Sequence, residues 1–102
     1  MAKLLVLYKT PTDPAAFDVY YLESHIPKAK QIPGLRHYEI TRGAIGTPAG
    51  PSDVHLVATL SFDSVEAIQA AFASPEGQAT AADLANFVTG GVEMLICDTV
   101  TV

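Results

Sequence analysis

The sequence predicts a ferredoxin-like α+β fold, in which a four-stranded antiparallel sheet carries helices on one face. Apolar runs typical of strands alternate with capped helical segments in the order β-α-β-β-α-β, which is the order of the split unit of that fold. The length of 102 residues fits one domain, which we expect to span residues 1–102. Hydrophobic residues make up 49% of the chain, enough to fill a core. A domain this small is nevertheless only marginally stable alone.

The chain begins with a predicted strand and a predicted helix. Residues 3–10, KLLVLYKT, form a dense apolar run typical of a buried strand. Asp13 is a favourable N-cap and Pro14 a favourable first residue for a helix over residues 14–24. The spacing places its aromatic and polar residues on one face: Phe17, Tyr20, Tyr21, Ser24 and His25.

A proline follows this helix closely. Pro27 has no N–H to donate to the carbonyl of Glu23, so we expect it to end or kink the helix, with a short turn restarting over residues 27–31. The expected break leaves space and unpaired backbone groups beside His25.

Two strands separated by a loop come next. Residues 35–42 follow a Pro-Gly turn, and residues 54–62 have a clean apolar face. The Gly- and Pro-rich residues 43–53 between them predict a loop. Alternation in the first of these strands divides Leu35, His37, Glu39 and Thr41 from Arg36, Tyr38, Ile40 and Arg42. Neither set is clearly apolar, so the pattern leaves the inward face open.

The second half predicts a helix in two pieces and a last strand. Asp63 and Glu66 have the spacing of a capping box, and Ser74 with Pro75 predicts a second helix start. The second piece is expected to run to Val88, before a strand over residues 92–101. We expect these residues to form the inner faces of the two pieces: Val65, Ile68 and Phe72, then Ala81, Leu84 and Val88.

Strands with apolar residues on both faces indicate a homodimer. Residues 4–7 are all apolar, and so are Met94, Leu95 and Ile96 in the last strand. A sheet that is apolar on both faces needs cover on both, and no further helix is available. A second copy of the open sheet face would supply that cover.

His25 and Tyr21 are the candidate catalytic residues. They are four residues apart and therefore neighbours on the helix surface. A histidine in an apolar cleft can act as a general acid or base near neutral pH, and a phenol can orient it or hydrogen-bond a substrate carbonyl. The simpler alternative is a half-buried pair that satisfies local backbone groups.

Four further residues are candidates for substrate binding, namely Tyr8, Phe17, His37 and His55. His37 and His55 reach one cavity only if their strands and faces agree, and for Tyr8 core packing is the alternative.

Three histidines without a short fixed spacing do not predict a metal site. We read the one cysteine, Cys97, as a small buried residue of a strand.

Charge and composition exclude several classes of function. The net charge is −5 with only six scattered Lys and Arg residues, which argues against binding to nucleic acid or an anionic membrane. No apolar run approaches the length of a membrane span or a signal peptide, so we expect a cytoplasmic protein. Nucleotide-binding and hydrolase motifs are absent from the chain.

The whole chain resembles the EthD-like proteins. The resemblance is carried by the pattern P.D...F..YY...HIP over residues 11–27 and by PGLRHYEI over 33–40. The segments FDSVEAIQAAFASPEG (62–77) and AADLANF (81–87) are similar to the second half of that family. The resemblance implies a dimeric α+β barrel with a substrate cleft between helices and sheet. It also implies a site role for His25.

The resemblance implies a small enzyme but does not specify its reaction. The family is named for ethyl tert-butyl ether degradation, and relatives on this barrel include cofactor-free monooxygenases, isomerases, cyclases and haem-linked enzymes. We expect oxidoreductase or proton-transfer chemistry on a hydrophobic oxygenated molecule without a bound cofactor, in catabolism, with haem left open. The alternative is an accessory protein that binds or delivers such a compound. The family often has Trp where this chain has Tyr21, which leaves the role of Tyr21 open.

Overall fold

The computed structural model describes all 102 residues. The strands are β1 Ala2–Lys9, β2 His37–Ile40, β3 Gly46–Thr47, β4 Gly50–Pro51, β5 Val54–Phe62 and β6 Val92–Asp98. The helices are α1 Pro14–Tyr20, α2 Ile26–Ala29, α3 Val65–Ala73 and α4 Pro75–Asp83. Four strands form one antiparallel sheet in the order β2-β5-β1-β6, which confirms the predicted ferredoxin-like fold. The remaining two, β3 and β4, pair within the segment predicted as a loop.

The sheet has one covered face and one open face. Along β1, Leu4, Val6 and Tyr8 are buried beneath the helices, whereas Leu5 and Leu7 point to the other side and are partly exposed. The structure also settles the inward face of β2. Tyr38 and Ile40 pack against the core, and the alternating residues of that strand are exposed on the open face.

The helix that carries His25 continues past Pro27. Between α1 and α2 lies a π turn, Tyr21–His25, in which the N–H of Ile26 donates to the carbonyl of Tyr21, five residues earlier. Pro27 lies in the first turn of α2, where a missing N–H is tolerated. The helix therefore does not end at Pro27, because the π turn changes the hydrogen-bond register before the proline is reached.

A β-bulge reorients His55. Tyr8 pairs with Leu56 and Lys9 with Val54, so His55 is an extra residue in β5. Strict alternation would place His55 on the open face with Val57. The bulge instead brings its ring to α1, with centroids 5.1 Å from Phe17.

The start of α3 differs from the predicted capping box. Ser64, not Asp63, is the N-cap, and its hydroxyl accepts from the N–H of Ala67 at 3.0 Å. Asp63 instead forms an ion pair with Arg36 at 2.8 Å. The predicted start at Ser74 is confirmed, since its side chain accepts from the N–H of Gly77.

The buried face of α4 lies about one residue away from the predicted one. Ala81 is exposed, and Leu84 and Val88 are only half-buried, whereas Thr80, Asp83 and Phe87 are buried. One residue corresponds to about 100° around a helix. Leu84 and Val88 pack against the core as predicted, but the most buried positions include an aspartate and a threonine, which a prediction based on apolar residues does not select. None of the helices combines the length and apolar character that crossing a membrane requires.

Candidate functional site

A cavity of about 120 Å³ lies between the helices and the covered face of the sheet. Its lining is mostly apolar, and 13 of 15 residues are hydrophobic. Leu4, Val6, Ala58 and Leu60 supply its floor from β1 and β5, because the covered faces of those strands point toward the helices. The few polar groups in its wall are therefore those that can act on a bound molecule.

His25 is one of these groups, and its partner is a buried aspartate. The Nδ1 of His25 lies 2.8 Å from a carboxylate oxygen of Asp83, and both side chains are about 95% or more buried. The π turn places His25 over the cavity, and the buried face of α4 brings Asp83 to it from the other side. The result is a histidine–carboxylate pair that is almost entirely buried.

The environment of Asp83 keeps it ionised. Burial raises the pKa of Asp83, but hydrogen bonds from the Tyr20 hydroxyl at 2.7 Å, the Asn86 amide at 2.9 Å and His25 outweigh it. Lys28, with its amine 3.9 Å away, adds to the effect. The net effect is a pKa of about 2 for Asp83.

The environment of His25 favours the neutral imidazole. Burial lowers the pKa of His25 below its ordinary value of 6.5, and this outweighs the opposing hydrogen bond to Asp83. An ionised carboxylate can only accept, so Nδ1 carries the proton and its N–H donates a hydrogen bond to Asp83. The Nε2 atom has no protein hydrogen-bond partner and is not fully enclosed, and His25 lines the cavity, so this lone pair is the free acceptor of the imidazole. This is the arrangement of a general base.

Three tyrosines and Thr80 supply the remaining polar groups of the cavity wall, and the Thr80 hydroxyl already donates to the carbonyl of Glu76. The hydroxyls of Tyr21 and Tyr38 are 2.6 Å apart, and the ring of Tyr8 meets Tyr21 edge-on with centroids separated by 5.5 Å. Burial raises the pKa of Tyr8, Tyr21 and Tyr38, and the nearby phenol of Tyr38 raises the pKa of Tyr8 and of Tyr21 further. The three hydroxyls therefore stay protonated. One member of the Tyr21–Tyr38 pair donates to the other, so Tyr8 and the remaining member of the pair can donate to an oxygen atom of a bound molecule.

Aromatic packing fixes the catalytic candidates in place. Phe87 lies against the His25 ring at 4.7 Å, and Phe17 stacks on Tyr21 at 5.8 Å with an angle of 7° between the rings. Rings packed on two sides have few alternative rotamers, so the position of Nε2 is well defined.

The structure brings together some of the sequence-predicted site residues and separates others. His25, Tyr21 and Tyr8 line the cavity. Phe17 supports Tyr21 from outside the cavity, and the other predicted residues, His37 and His55, lie elsewhere. His55 lines a neighbouring groove, and His37 is exposed on the opposite face of the sheet beside Glu39.

Asp83 and Tyr38 are functional candidates that the sequence analysis did not single out. The alternation of β2 places Tyr38 on one of two possible inward faces, and only the pairing of β2 within the sheet decides which face is buried. For Asp83 there is a weak signal, since it lies three residues after Thr80 and four before Phe87, on one helical face. No group of three or more His, Cys, Asp or Glu side chains is close enough to hold one metal ion.

The fold and the cavity define a class: small ferredoxin-like α+β proteins with an apolar pocket between helices and sheet. The chain belongs to the EthD family, because residues 9–91 match the model of the EthD domain. A Rhodococcus erythropolis protein from the thcB–thcC intergenic region is 41% identical over 102 residues, which are all of this chain and 98% of that protein. The resemblance inferred from the HIP and PGL segments is thereby confirmed.

Two solved structures extend the comparison. A crystal structure of an EthD family protein from Bacillus halodurans has a TM-score of 0.90 at 35% identity, covering 98% of this chain and 99% of that one. A mutant of the cofactor-independent oxygenase SnoaB from Streptomyces nogalater has a TM-score of 0.68 at 18% identity, with 99% of this chain and 94% of that one covered. The second similarity shows a shared fold alone.

Proposed function

We propose that this protein is an enzyme that uses His25 as a general base on a small, hydrophobic, oxygenated molecule. The observation that carries the proposal is the open Nε2 of a neutral, buried imidazole whose other nitrogen is fixed by an ionised Asp83. A carboxylate that holds the tautomer and stabilises the imidazolium formed on proton transfer is the partner that a histidine base needs.

The size and lining of the cavity favour a neutral substrate about as large as a single ring. A cavity of about 150 Å³ lined by aliphatic and aromatic side chains accepts benzene, and the present cavity of about 120 Å³ is similar. An apolar wall disfavours a charged substrate, because such a substrate would lose its hydration without a paired charge.

The chemistry that fits these groups is removal of a proton from a carbon next to a carbonyl. Nε2 of His25 takes the proton, and the electron pair of the broken C–H bond moves to the carbonyl oxygen. Hydroxyl donors in the cavity wall stabilise the developing enolate, and Tyr8 with one member of the Tyr21–Tyr38 pair supplies them. The fold shared with a cofactor-independent oxygenase supports reactivity without a bound cofactor, and the EthD family supports a role in catabolism as part of the same proposal.

Hydrogen–deuterium exchange tests the base directly. Cyclohexanone is a ring-sized probe, and the loss of its α-proton signals in D₂O can be followed by ¹H NMR. We expect the wild-type protein to accelerate the exchange and His25→Gln to abolish the acceleration. Asp83→Asn should reduce it by about 10²–10⁴-fold, because general-base catalysis contributes about that much and the tautomer is lost.

His37→Gln is the matched control, since this histidine is exposed on the other face of the sheet. It should leave the exchange rate unchanged. Saturable binding of cyclohexanone without any accelerated exchange would contradict the proposed enzyme and support an accessory protein that binds such a compound. An exchange rate that His25→Gln does not alter would reject His25 as the base.

We also propose that the open sheet face joins two copies into a homodimer. The partly exposed Leu5, Leu7, Val57 and Leu95 form an apolar strip there. An apolar strip on an unoccupied sheet face needs cover, which a second copy of the same face supplies.

A further inference from the structure

A second cavity lies beside the first, on the other side of Tyr21. This groove has a volume of about 710 Å³ and is bounded by the helix that carries Asp18, by the end of β2 and by the chain that follows it. Tyr21 lines both spaces. His25 lines only the small cavity, so the general base proposed above plays no part in the groove.

His55 is aimed into this groove by two interactions. Its Nε2 lies 2.7 Å from a carboxylate oxygen of Asp18, and Phe17 packs against its ring at 88°. The bulge in β5 rotates the His55 side chain toward α1, which both contacts require. The Nδ1 atom has no protein partner and is not fully enclosed.

Arg42 provides the cationic group of the groove. It forms no ion pair and no side-chain hydrogen bond, whereas the other arginine, Arg36, forms a two-bond pair with Asp63 at 2.8 and 3.1 Å. In a chain with six Lys and Arg residues and a net charge of −5, an arginine without a carboxylate partner in a groove is notable. Its planar fork of N–H donors matches the geometry of a carboxylate.

We propose that this groove binds a carboxylate that carries a small apolar group. Arg42 binds the carboxylate, and the apolar group lies against Leu22 and Ile40, which line the same groove. Leu22 is 57% exposed and gains cover from such a ligand. Asp18 is the opposing charge in the groove, and its carboxylate is engaged by His55.

Benzoate is the probe for this site, and ¹H–¹⁵N NMR titration of the full-length protein is the measurement. We expect saturable shifts in the backbone amides of residues 41–44 and 55–56, and about tenfold weaker binding for Arg42→Gln. Arg36→Gln is the matched control and should bind benzoate as the wild type does. Benzamide, which is uncharged, should bind at least about tenfold more weakly than benzoate.

Two further variants separate this proposal from its competitors. Asp18→Asn keeps an oxygen that can accept from His55 but removes the opposing charge, so benzoate should bind several-fold more tightly. His25→Gln should leave the affinity unchanged. Benzoate binding that persists in Arg42→Gln, or that is lost in His25→Gln, would overturn the assignment of the groove as a carboxylate site.

Discussion

At the scale of the residue, Asp83 organises the site through the number of donors it collects. A carboxylate that is 3% exposed accepts from Tyr20, Asn86 and His25, and Lys28 lies near it. Burying an ion without such donors would be costly, so the donors and the ionised state depend on each other. The network therefore links the charge of Asp83 to the stability of the fold as well as to the proton on His25.

This coupling predicts a stability that falls in acid in two ranges. The pKa of His25 is lowered by burial, so the unfolded chain takes up its proton first, and the unfolding free energy falls as the pH decreases below about 6.5. The pKa of Asp83 falls from 3.8 to about 2, which corresponds to roughly 2 kcal/mol of unfolding free energy that is present above pH 3.8 and lost as the pH approaches 2. Urea unfolding at a series of pH values measures both.

Two histidine variants isolate the upper range. His25→Gln should flatten the pH dependence between about pH 7 and 5, because the group that binds a proton on unfolding has been removed. His37→Gln removes an exposed histidine and serves as the comparison. An unchanged slope in His25→Gln would contradict a buried, neutral imidazole at this position.

At the scale of the element, the joint between α3 and α4 depends on the absence of a side chain at Gly77. A Cβ at this position would overlap the carbonyl oxygen of Ala71 and come within 2.7 Å of Cα of Phe72. Both are backbone atoms of α3, which cannot move aside as a flexible side chain would. The close approach lets Ser74 end one helix and cap the next.

Gly77→Ala should therefore destabilise the protein although alanine is the better helix former. We expect the unfolding free energy to fall by about 2–3 kcal/mol, as measured by urea unfolding, because overpacking against backbone outweighs the gain of up to about 1 kcal/mol in helix propensity. Gly46→Ala is the control, since its nearest neighbour would be 3.9 Å away. A neutral or stabilising Gly77→Ala would show that the two helices can separate there without cost.

The elements differ in how far the sequence determines them. Residues 54–62 were predicted as a strand with the observed bounds, because alternation and β-branched residues act locally. The reorientation of His55 could not be predicted, since a bulge is defined by pairing with β1. Asp83 was missed because a charged residue on a buried helical face is favourable only with its donors, and Tyr20 and His25 are about sixty residues away in sequence.

At the scale of the whole molecule, the protein is a two-layer structure with one uncovered side. Its extents are 35 × 34 × 18 Å, so the molecule is about half as thick as it is wide, as a single sheet with helices on one face would be. Leu5 of β1 pairs with Leu95 of β6 on the open face, and Leu95 is 44% exposed. A strip of this kind is typical of a surface that is covered by another molecule.

Leu95→Lys should dissociate the proposed homodimer, because a charged amine in the centre of an apolar contact loses its hydration without a partner. Light scattering at micromolar concentration should give about twice the monomer mass of 10.8 kDa for the wild type, and the monomer mass for the variant. Val19→Lys, at a residue that is 56% exposed on α1, should remain dimeric. A monomeric wild type would refute the sheet-to-sheet association.

The π turn has a geometric consequence for the whole helical segment from α1 to α2. Phe17, Tyr21, His25 and Ala29 are all buried and follow each other at intervals of four residues. In a regular α-helix each such interval advances about 40° past a full turn, so the fourth residue would be displaced by about 120° from the first. The extra residue of the π turn removes about 100° of that drift. One inserted residue thus turns a row that would wind around the helix into a nearly straight line along its buried face.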